Sequence, residues 1–262
     1  MGRAEIPQQN PPLVVAHRGA STTFPENTLE AFEGAVQAGA DIVELDVRLT
    51  ADGVPVIMHD ADVASTTDGQ GFLHTFTLAE VKRLRTSAAH GSSTGVPTLL
   101  ETLEVLSGRA GINIEIKNLP GEPSFDSPAE GIVHAVIRVL DGVPFDGSVL
   151  VSSFNWLSIE RVRALRPDFG TGFLTTGAVD PAAALVYARS AGHTYVLPQA
   201  PALFAGGAAF VQAAHEDGVS VGTWTVDDAD AIARFFSWGV DAVASNDPAM
   251  AVQVRDRFRA GA

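Results

Sequence analysis

Short apolar runs alternate with longer stretches in which apolar residues recur every three or four positions, and this rhythm repeats along most of the chain. The runs at 13–16, 42–47, 54–58, 112–116, 149–152, 170–174, 195–197, 219–224 and 242–244 have the length and composition of buried strands. The three-to-four spacing predicts helices over 29–38, 78–84, 97–106, 128–140, 156–165, 181–190, 208–216, 228–238 and 248–258. Asn27 or Thr28 can cap the first helix, and Gly39 stops it. The run at 54–58 follows 42–47 across Ala51-Asp52-Gly53, a gap too short for the helical crossover between parallel neighbours. Asp-Gly between apolar runs signals a hairpin, so 54–58 reads as a hairpin arm. Eight strand-then-helix units remain.

Eight such units in 262 residues predict an α/β protein with the (β/α)8 barrel, or TIM-barrel, architecture, in a single domain over 1–262. A doubly wound open sheet is the competing arrangement, but no Gly-x-Gly-x-x-Gly follows the first strand. Residues 62–111 read as an insertion after the second strand, too short and too polar to bury a core of their own. Within them the small, polar run 87–95 reads as mobile.

Several charged residues interrupt this apolar pattern. In a strand, residues i and i+2 share a face, so Glu44 and Asp46 point one way while Val43, Leu45 and Val47 point the other. Two like charges in a core strand are costly without something positive between them. A divalent cation is the natural candidate, and a solvated edge strand is the competing reading. Glu115 and Lys117 share a face near the end of the third strand, His17-Arg18 ends the first, and His59 ends the hairpin arm. Barrel active sites gather at the C-terminal ends of the strands, so the predicted fold collects all seven residues in one bowl. Glu44, Asp46 and Glu115 are oxygen donors that suit Mg2+ or Ca2+ rather than zinc. Arg18 and Lys117 can rebalance their charge, and two histidines beside a metal suit a general base and a general acid. His74, His90, His134, His193 and His215 fall in predicted loops or helices and are expected at the surface.

Composition narrows the chemistry. There are no cysteines, which removes disulfides, thiolate metal sites and cysteine nucleophiles. A net charge of −14 argues against nucleic acid and anionic membranes as partners. No stretch approaches the roughly 18 apolar residues of a membrane span, and residues 1–12 lack the apolar segment of a signal peptide. A cytoplasmic protein with a small-molecule substrate and no stable membrane insertion is expected; the oligomeric state is left open.

Five motifs in order carry a family resemblance: His-Arg-Gly-Ala at 17–20, Pro-Glu-Asn-Thr at 25–28, Glu-Leu-Asp-Val at 44–47, Asp-Gly-Val-Pro-Val-Ile-Met-His-Asp at 52–60 and Glu-Ile-Lys at 115–117. With Thr-Trp-Thr-Val at 223–226 and Gly-Val-Asp-Ala at 239–242, the set resembles the glycerophosphodiester phosphodiesterases over nearly the whole chain. The resemblance implies His17 and His59 as the catalytic pair and Glu44, Asp46 and Glu115 as metal ligands. It also implies Arg18 and Lys117 as phosphate and substrate contacts, and Trp224 as an aromatic wall beside the glycerol. Taken alone, Trp224 is a strand-end aromatic for which a core role is equally open. Two positions depart from the family pattern: Ser65 where the family has Arg before two threonines, and Asp227 where it has Asn. The implied reaction is metal-dependent hydrolysis of a glycerophosphodiester, such as glycerophosphocholine or glycerophosphoethanolamine, to an alcohol and sn-glycerol 3-phosphate. The alternatives are a phospholipase D-like enzyme acting on lysophospholipids, a metal-free glycoside hydrolase using Glu44 and Glu115, and a non-catalytic phosphate-binding barrel. The insertion, with scattered apolar groups such as Phe72, Leu73 and Phe76, is expected to wall the leaving alcohol and to favour small deacylated diesters.

Overall fold

The computed structural model describes residues 12–86 and 93–261. Nine strands form one sheet: β1 (Leu13–Ala16), β2 (Ile42–Leu49), β3 (Pro55–Ile57), β4 (Gly111–Ile116), β5 (Val149–Ser153), β6 (Gly170–Thr175), β7 (Tyr195–Pro198), β8 (Ser220–Thr223) and β9 (Ala242–Ser245). Eight of them pair in parallel, and β1 bonds to both β2 and β9, which closes the sheet into a barrel. β3 is the exception. It runs antiparallel to β2, with Val47 opposite Ile57 and Leu49 opposite Pro55, after a turn in which Gly53 takes φ +76°.

The helices α1 (Leu29–Gln37), α3 (Leu99–Leu106), α4 (Gly131–Gly142), α5 (Trp156–Leu165), α6 (Pro181–Ala191), α7 (Ala200–Glu216), α8 (Ala229–Ser237) and α9 (Pro248–Gly261) follow the parallel strands in turn. α2 (Leu78–Val81) is a single turn within the inserted segment. Thr28, rather than Asn27, caps α1 by accepting from the Ala31 amide. α7 begins eight residues earlier than the spacing predicts: Pro201 suits a helix start, and a break at Gly207 (φ 63°, ψ −167°) hides the first part from a periodicity reading.

Both faces of the barrel strands are buried, which is why they read as near-continuous apolar runs. Val43, Leu45 and Val47 of β2 and Ile112, Ile114 and Ile116 of β4 point outward and pack with Phe32, Leu99, Leu103 and Val136 of the helices. Fully buried groups of this size stabilise by about 1.5–3 kcal/mol each, and Leu45→Ala would cost about 2–5 kcal/mol through the cavity it leaves. A second outer cluster, including Val196, Val221, Phe235 and Val243, serves the other half of the ring. Inward-facing Val15, Ile42, Leu174, Tyr195, Leu197 and Ala242 fill the lumen.

The inserted residues stop short of α3, within the expected span of 62–111. α3 packs with α1 and the β2–β4 side of the barrel, so it belongs to the helical ring. The segment ahead of it does bury a small cluster: Val63, Leu73, Val81, Leu84 and Val96 close over Val56 and Met58 of the hairpin arm. The arm supplies the apolar surface that the inserted residues lack by themselves. Residues 87–92, most of the run expected to be mobile, lie outside the described residues, as do His90 and residues 1–11.

Candidate active site

The strand register builds the site. β2 and β4 pair with Glu44 opposite Asn113 and Asp46 opposite Glu115, so three carboxylates face inward in two adjacent layers. Single ligand atoms of Glu44, Asp46 and Glu115 all lie within 4.8 Å of one another, and all three residues are buried. β1 pairs with β9 so that Ala16 lies opposite Ser245, which sets His17 beside Asn246. The hairpin arm bends back over β2, where the Met58 amide donates to the Asp46 carbonyl, and this carries His59 to the same rim. Gly19 lets the His17–Arg18 turn sit on α1: a Cβ there would lie 2.7 Å from the Ala31 backbone.

Two cations sit among the acids. Lys117 Nζ contacts Glu115 and lies 2.9 Å from Asp46 Oδ1. Arg18 takes a left-handed conformation (φ 56°) and donates its amide to Glu44 Oε2 at 2.8 Å. Its guanidinium reaches Glu26 at 3.0 Å and lies 3.3 Å from Asp46 Oδ2. Burial drives the Glu44 carboxyl well above the usual range, with Asp46 and Glu115 adding like-charge repulsion. Burial also pushes Glu115 up, to about 7. For Asp46 burial acts in the same sense, but Lys117 and Arg18 overcome it and hold this carboxyl below the normal range. Burial opposes the Lys117 charge as well, yet Asp46 and Glu115 keep the ammonium above its ordinary value. A divalent cation fits this donor set: the oxygens are hard, and Glu44 Oε1 is buried with no hydrogen-bond partner.

Both histidines are held by their Nδ1 atoms. His17 Nδ1 lies 2.7 Å from Asn246 Oδ1, and His59 Nδ1 lies 2.9 Å from Asp60 Oδ1. Burial, aided by Arg18, lowers His17 to about 4, and burial also lowers His59. The two rings line one cavity of about 190 Å³ together with Arg18, Glu44, Glu115, Lys117 and Trp224. Asp46 lies behind them, fully buried. The cavity is two-sided: β1, β2 and β4 contribute the charged groups, while Leu150, Phe154, Leu174, Leu197 and Trp224 make an apolar wall from β5 onward. Trp224 is half-buried, donates Nε1 to the Leu197 carbonyl at 2.9 Å and meets Phe154 edge-on at 5.4 Å. It therefore belongs to the wall and to the lumen packing at once.

The structure thus brings together all eight residues singled out in the sequence, and it adds others. Asn27 (φ 58°) donates Nδ2 to Asp46 Oδ2 at 2.8 Å and accepts from the Asp46 amide at 3.2 Å, holding that residue by its carboxylate and its backbone. Arg48, the next inward position of β2, donates Nε to the His59 carbonyl at 2.8 Å and forks onto Glu122 at 2.6 and 2.9 Å. A buried arginine two residues beyond Asp46 on the same face was a readable signal. One surface expectation fails. His193 is buried, bonded to Thr171 Oγ1 at 2.9 Å and Tyr187 OH at 3.2 Å, because the turn between α6 and β7 tucks it under the ring. His215 is half-buried against Asp241 at 2.8 Å, whereas His134 is exposed as expected. Among the described residues no helix is long and apolar enough to cross a membrane.

Comparison with known proteins agrees with this geometry. The sequence model of the glycerophosphoryl diester phosphodiesterase family matches residues 17–250. A glycerophosphodiester phosphodiesterase of Caldanaerobacter subterraneus is 36% identical over 242 residues, covering 90% of this chain and 94% of that protein. Among solved structures, an Oleispira antarctica phosphodiesterase in complex with the product sn-glycerol-3-phosphate superposes with a TM-score of 0.83 at 31% identity, covering 94% of this chain and 97% of that one. The Thermotoga maritima glycerophosphodiester phosphodiesterase gives 0.74 at 25% identity, covering 92% and 97%. A barrel whose acids, cations and paired histidines converge on one cavity, matched along nearly its full length, belongs to the glycerophosphodiester phosphodiesterase family and is a phosphoric diester hydrolase.

Proposed function

We propose that the enzyme hydrolyses small glycerophosphodiesters, such as glycerophosphocholine and glycerophosphoethanolamine, to an alcohol and sn-glycerol 3-phosphate. The observation that carries this reading is the two-sided cavity, with three buried carboxylates, two cations and two Nδ1-anchored histidines facing an apolar wall. Its volume of about 190 Å³ can seat a glycerol phosphate moiety. The Oleispira antarctica relative holds sn-glycerol-3-phosphate, which supports the same product here.

Arg18 and Lys117 line the cavity and would attract and orient the phosphoryl oxygens, and Trp224 and Phe154 would cover the carbon face of the glycerol while excluding water. Glu44, Asp46 and Glu115 would hold a divalent cation, Mg2+ or Ca2+, which when bound supplies Lewis-acid stabilisation of phosphoryl charge. His17 and His59 arise from different elements and reach the same cavity, so one can take a proton from the nucleophile while the other gives one to the leaving alkoxide. His17, held neutral by burial, suits the accepting role; burial lowers His59 as well, with Asp60 on its Nδ1 acting in the opposite sense. The apolar wall beside the glycerol comes from the barrel, and no described residue of the inserted segment lines this cavity.

The test is release of glycerol 3-phosphate from glycerophosphocholine, glycerophosphoethanolamine and glycerophosphoglycerol, each with and without EDTA, beside lysophosphatidylcholine. The proposal expects activity on the deacylated diesters that EDTA abolishes and added Mg2+ or Ca2+ restores. Full activity in EDTA would refute the metal reading, and a higher kcat/KM for the lysolipid would refute the substrate class.

A further inference from the structure

The His17 ring is held by a chain of groups that reaches the surface, and the chain has a direction. Asp227 can only accept when ionised, and it receives the Asn246 amide at 2.7 Å, Asn246 Nδ2 at 2.6 Å and the Ser245 hydroxyl at 2.9 Å. With Nδ2 committed to a carboxylate, the Asn246 amide has one orientation, and its Oδ1 faces His17 Nδ1 at 2.7 Å. Ser21 Oγ braces the same oxygen at 3.0 Å and the His17 carbonyl at 2.9 Å. An amide oxygen cannot donate. The proton must therefore sit on Nδ1, which leaves Nε2 with a lone pair on the ring that lines the cavity.

We propose that Asn246, oriented by Asp227, is a positioning residue that fixes His17 in the Nδ1–H tautomer and so makes Nε2 the proton acceptor. This rests on the reading of His17 as an acid–base residue. Asn246 is supplied by the loop after β9 and Asp227 by the loop after β8, so the clamp exists only because the barrel closes β9 onto β1. Asp227 is itself exposed, but three donors hold it, all from the adjacent Ser245 and Asn246. The charged groups that act on His17 from elsewhere are Arg18, Asp46 and Lys117, none of which contacts Nδ1. An uncharged clamp differs from the carboxylate that meets His59: it sets the tautomer while favouring the protonated ring less than a full charge on that nitrogen would.

Two readouts on the full chain test the proposal. Nitrogen-15 NMR of the His17 ring in the wild-type protein should show Nδ1 protonated and Nε2 unprotonated at pH 7, and Asn246→Leu should lose that bias. Finding Nε2–H in the wild type, or an unchanged tautomer in Asn246→Leu, overturns the clamp. The second readout is the pH profile of kcat/KM on glycerophosphocholine. Asn246→Leu should lower kcat by about 10–100-fold, the scale for partners that orient a functional histidine, with KM changed far less. The reciprocal pair Asp227→Asn with Asn246→Asp keeps every hydrogen bond, with the one between the two side chains reversed, but sets a carboxylate against Nδ1. It should recover most of the lost kcat while moving the acidic limb of the profile upward by about one pH unit or more. Lost turnover in the pair with no movement of that limb would overturn the assignment, since a purely structural role would behave in that way. An Asn246→Leu protein that loses the tautomer but keeps its turnover supports the clamp and refutes the catalytic reading of His17, so the two failures are distinguishable.

Discussion

Removing the charge of Glu115 should stabilise the metal-free protein, and the gain should depend on pH. Burial raises this carboxyl from 4.5 to about 7 in the folded chain. Between those values the folded state binds more protons than the unfolded state, so stability falls as pH rises through the window. At 1.36 kcal/mol per pH unit, a displacement of about 2.5 amounts to about 3 kcal/mol by pH 7.5. The cause is geometric: Glu115 is buried opposite Asp46 in the strand register, and Lys117 divides its ammonium between the two. Glu115→Gln keeps the shape and stays neutral at every pH. In EDTA it should melt close to wild type near pH 5 and higher at pH 7.5, by about 6–12 °C at 2–4 °C per kcal/mol. Comparing the two proteins at each pH cancels the opposite trend from His17 and His193. Mg2+ or Ca2+ at about 1,000 times its Kd should reverse the order, because it adds about 4.1 kcal/mol to the protein that binds it. The assay is differential scanning calorimetry from pH 5 to 7.5 with and without metal. A Tm difference that does not vary with pH, or that favours the wild type in EDTA as pH rises, would refute the reasoning.

His17→Ala and His59→Ala should each lose about 10²–10⁴ in kcat with little change in Tm, since both rings sit at the barrel mouth; near-normal turnover in either removes that residue from the mechanism. His193 is held neutral, at about 4, by burial and by Arg163, so the folded chain binds fewer protons than the unfolded one between pH 6.5 and 4. Its stabilising contribution is complete above pH 6.5 and lost towards pH 4, a loss of about 1–3 kcal/mol. His193→Gln should flatten that part of the urea-unfolding profile, and parallel profiles would contradict this. Arg48→Met strips the Glu122 fork and the His59 carbonyl contact, and should cost about 2–3 kcal/mol and lower kcat while leaving metal affinity, read by isothermal titration, near wild type. A wild-type Tm in that variant would show that Arg48 does not carry the arm.

The parts of the site that the sequence makes legible are those where a charge breaks an apolar run. Glu44 and Asp46 stand out because β2 is otherwise Ile, Val and Leu, and the two-residue period of a strand puts them on one face before any fold is assumed. Glu115 follows from the same rule, and the barrel prediction brings the third strand beside the second. His17 and His59 are legible as abrupt basic ends of apolar runs. Asn246, Asp227 and Asn27 are not legible in this way. They are ordinary polar residues in loops, and what distinguishes them is a partner 229 positions away for Asn246 and 19 for both Asp227 and Asn27. Only closure of β9 on β1, or the docking of α1 against β2, creates those pairs.

The apolar wall was hidden for a different reason. In a parallel barrel the lumen-facing and helix-facing residues of a strand are both apolar, so hydropathy along Leu150, Leu174 and Leu197 carries no mark of which side they serve. The inserted segment, with its scattered aromatics, was the conspicuous place to look for a wall. Yet its apolar residues are spent on covering the hairpin arm: Leu73 is buried there, and Phe76 packs against the same cluster. The charged half of the lumen identifies the apolar half by exclusion, because strands β2 and β4 that carry acids leave the facing strands to supply the contacts that a glycerol carbon chain needs. That division also accounts for the small residues across the wall. A Cβ on Gly172 or Gly222 would come within 2.6 or 2.7 Å of Leu197, so these positions keep Leu197 turned into the cavity instead of pushed across it. The proposed catalytic groups of this barrel are therefore set by charge that its strands do not otherwise tolerate, and the shape of the apolar wall by side chains that are absent.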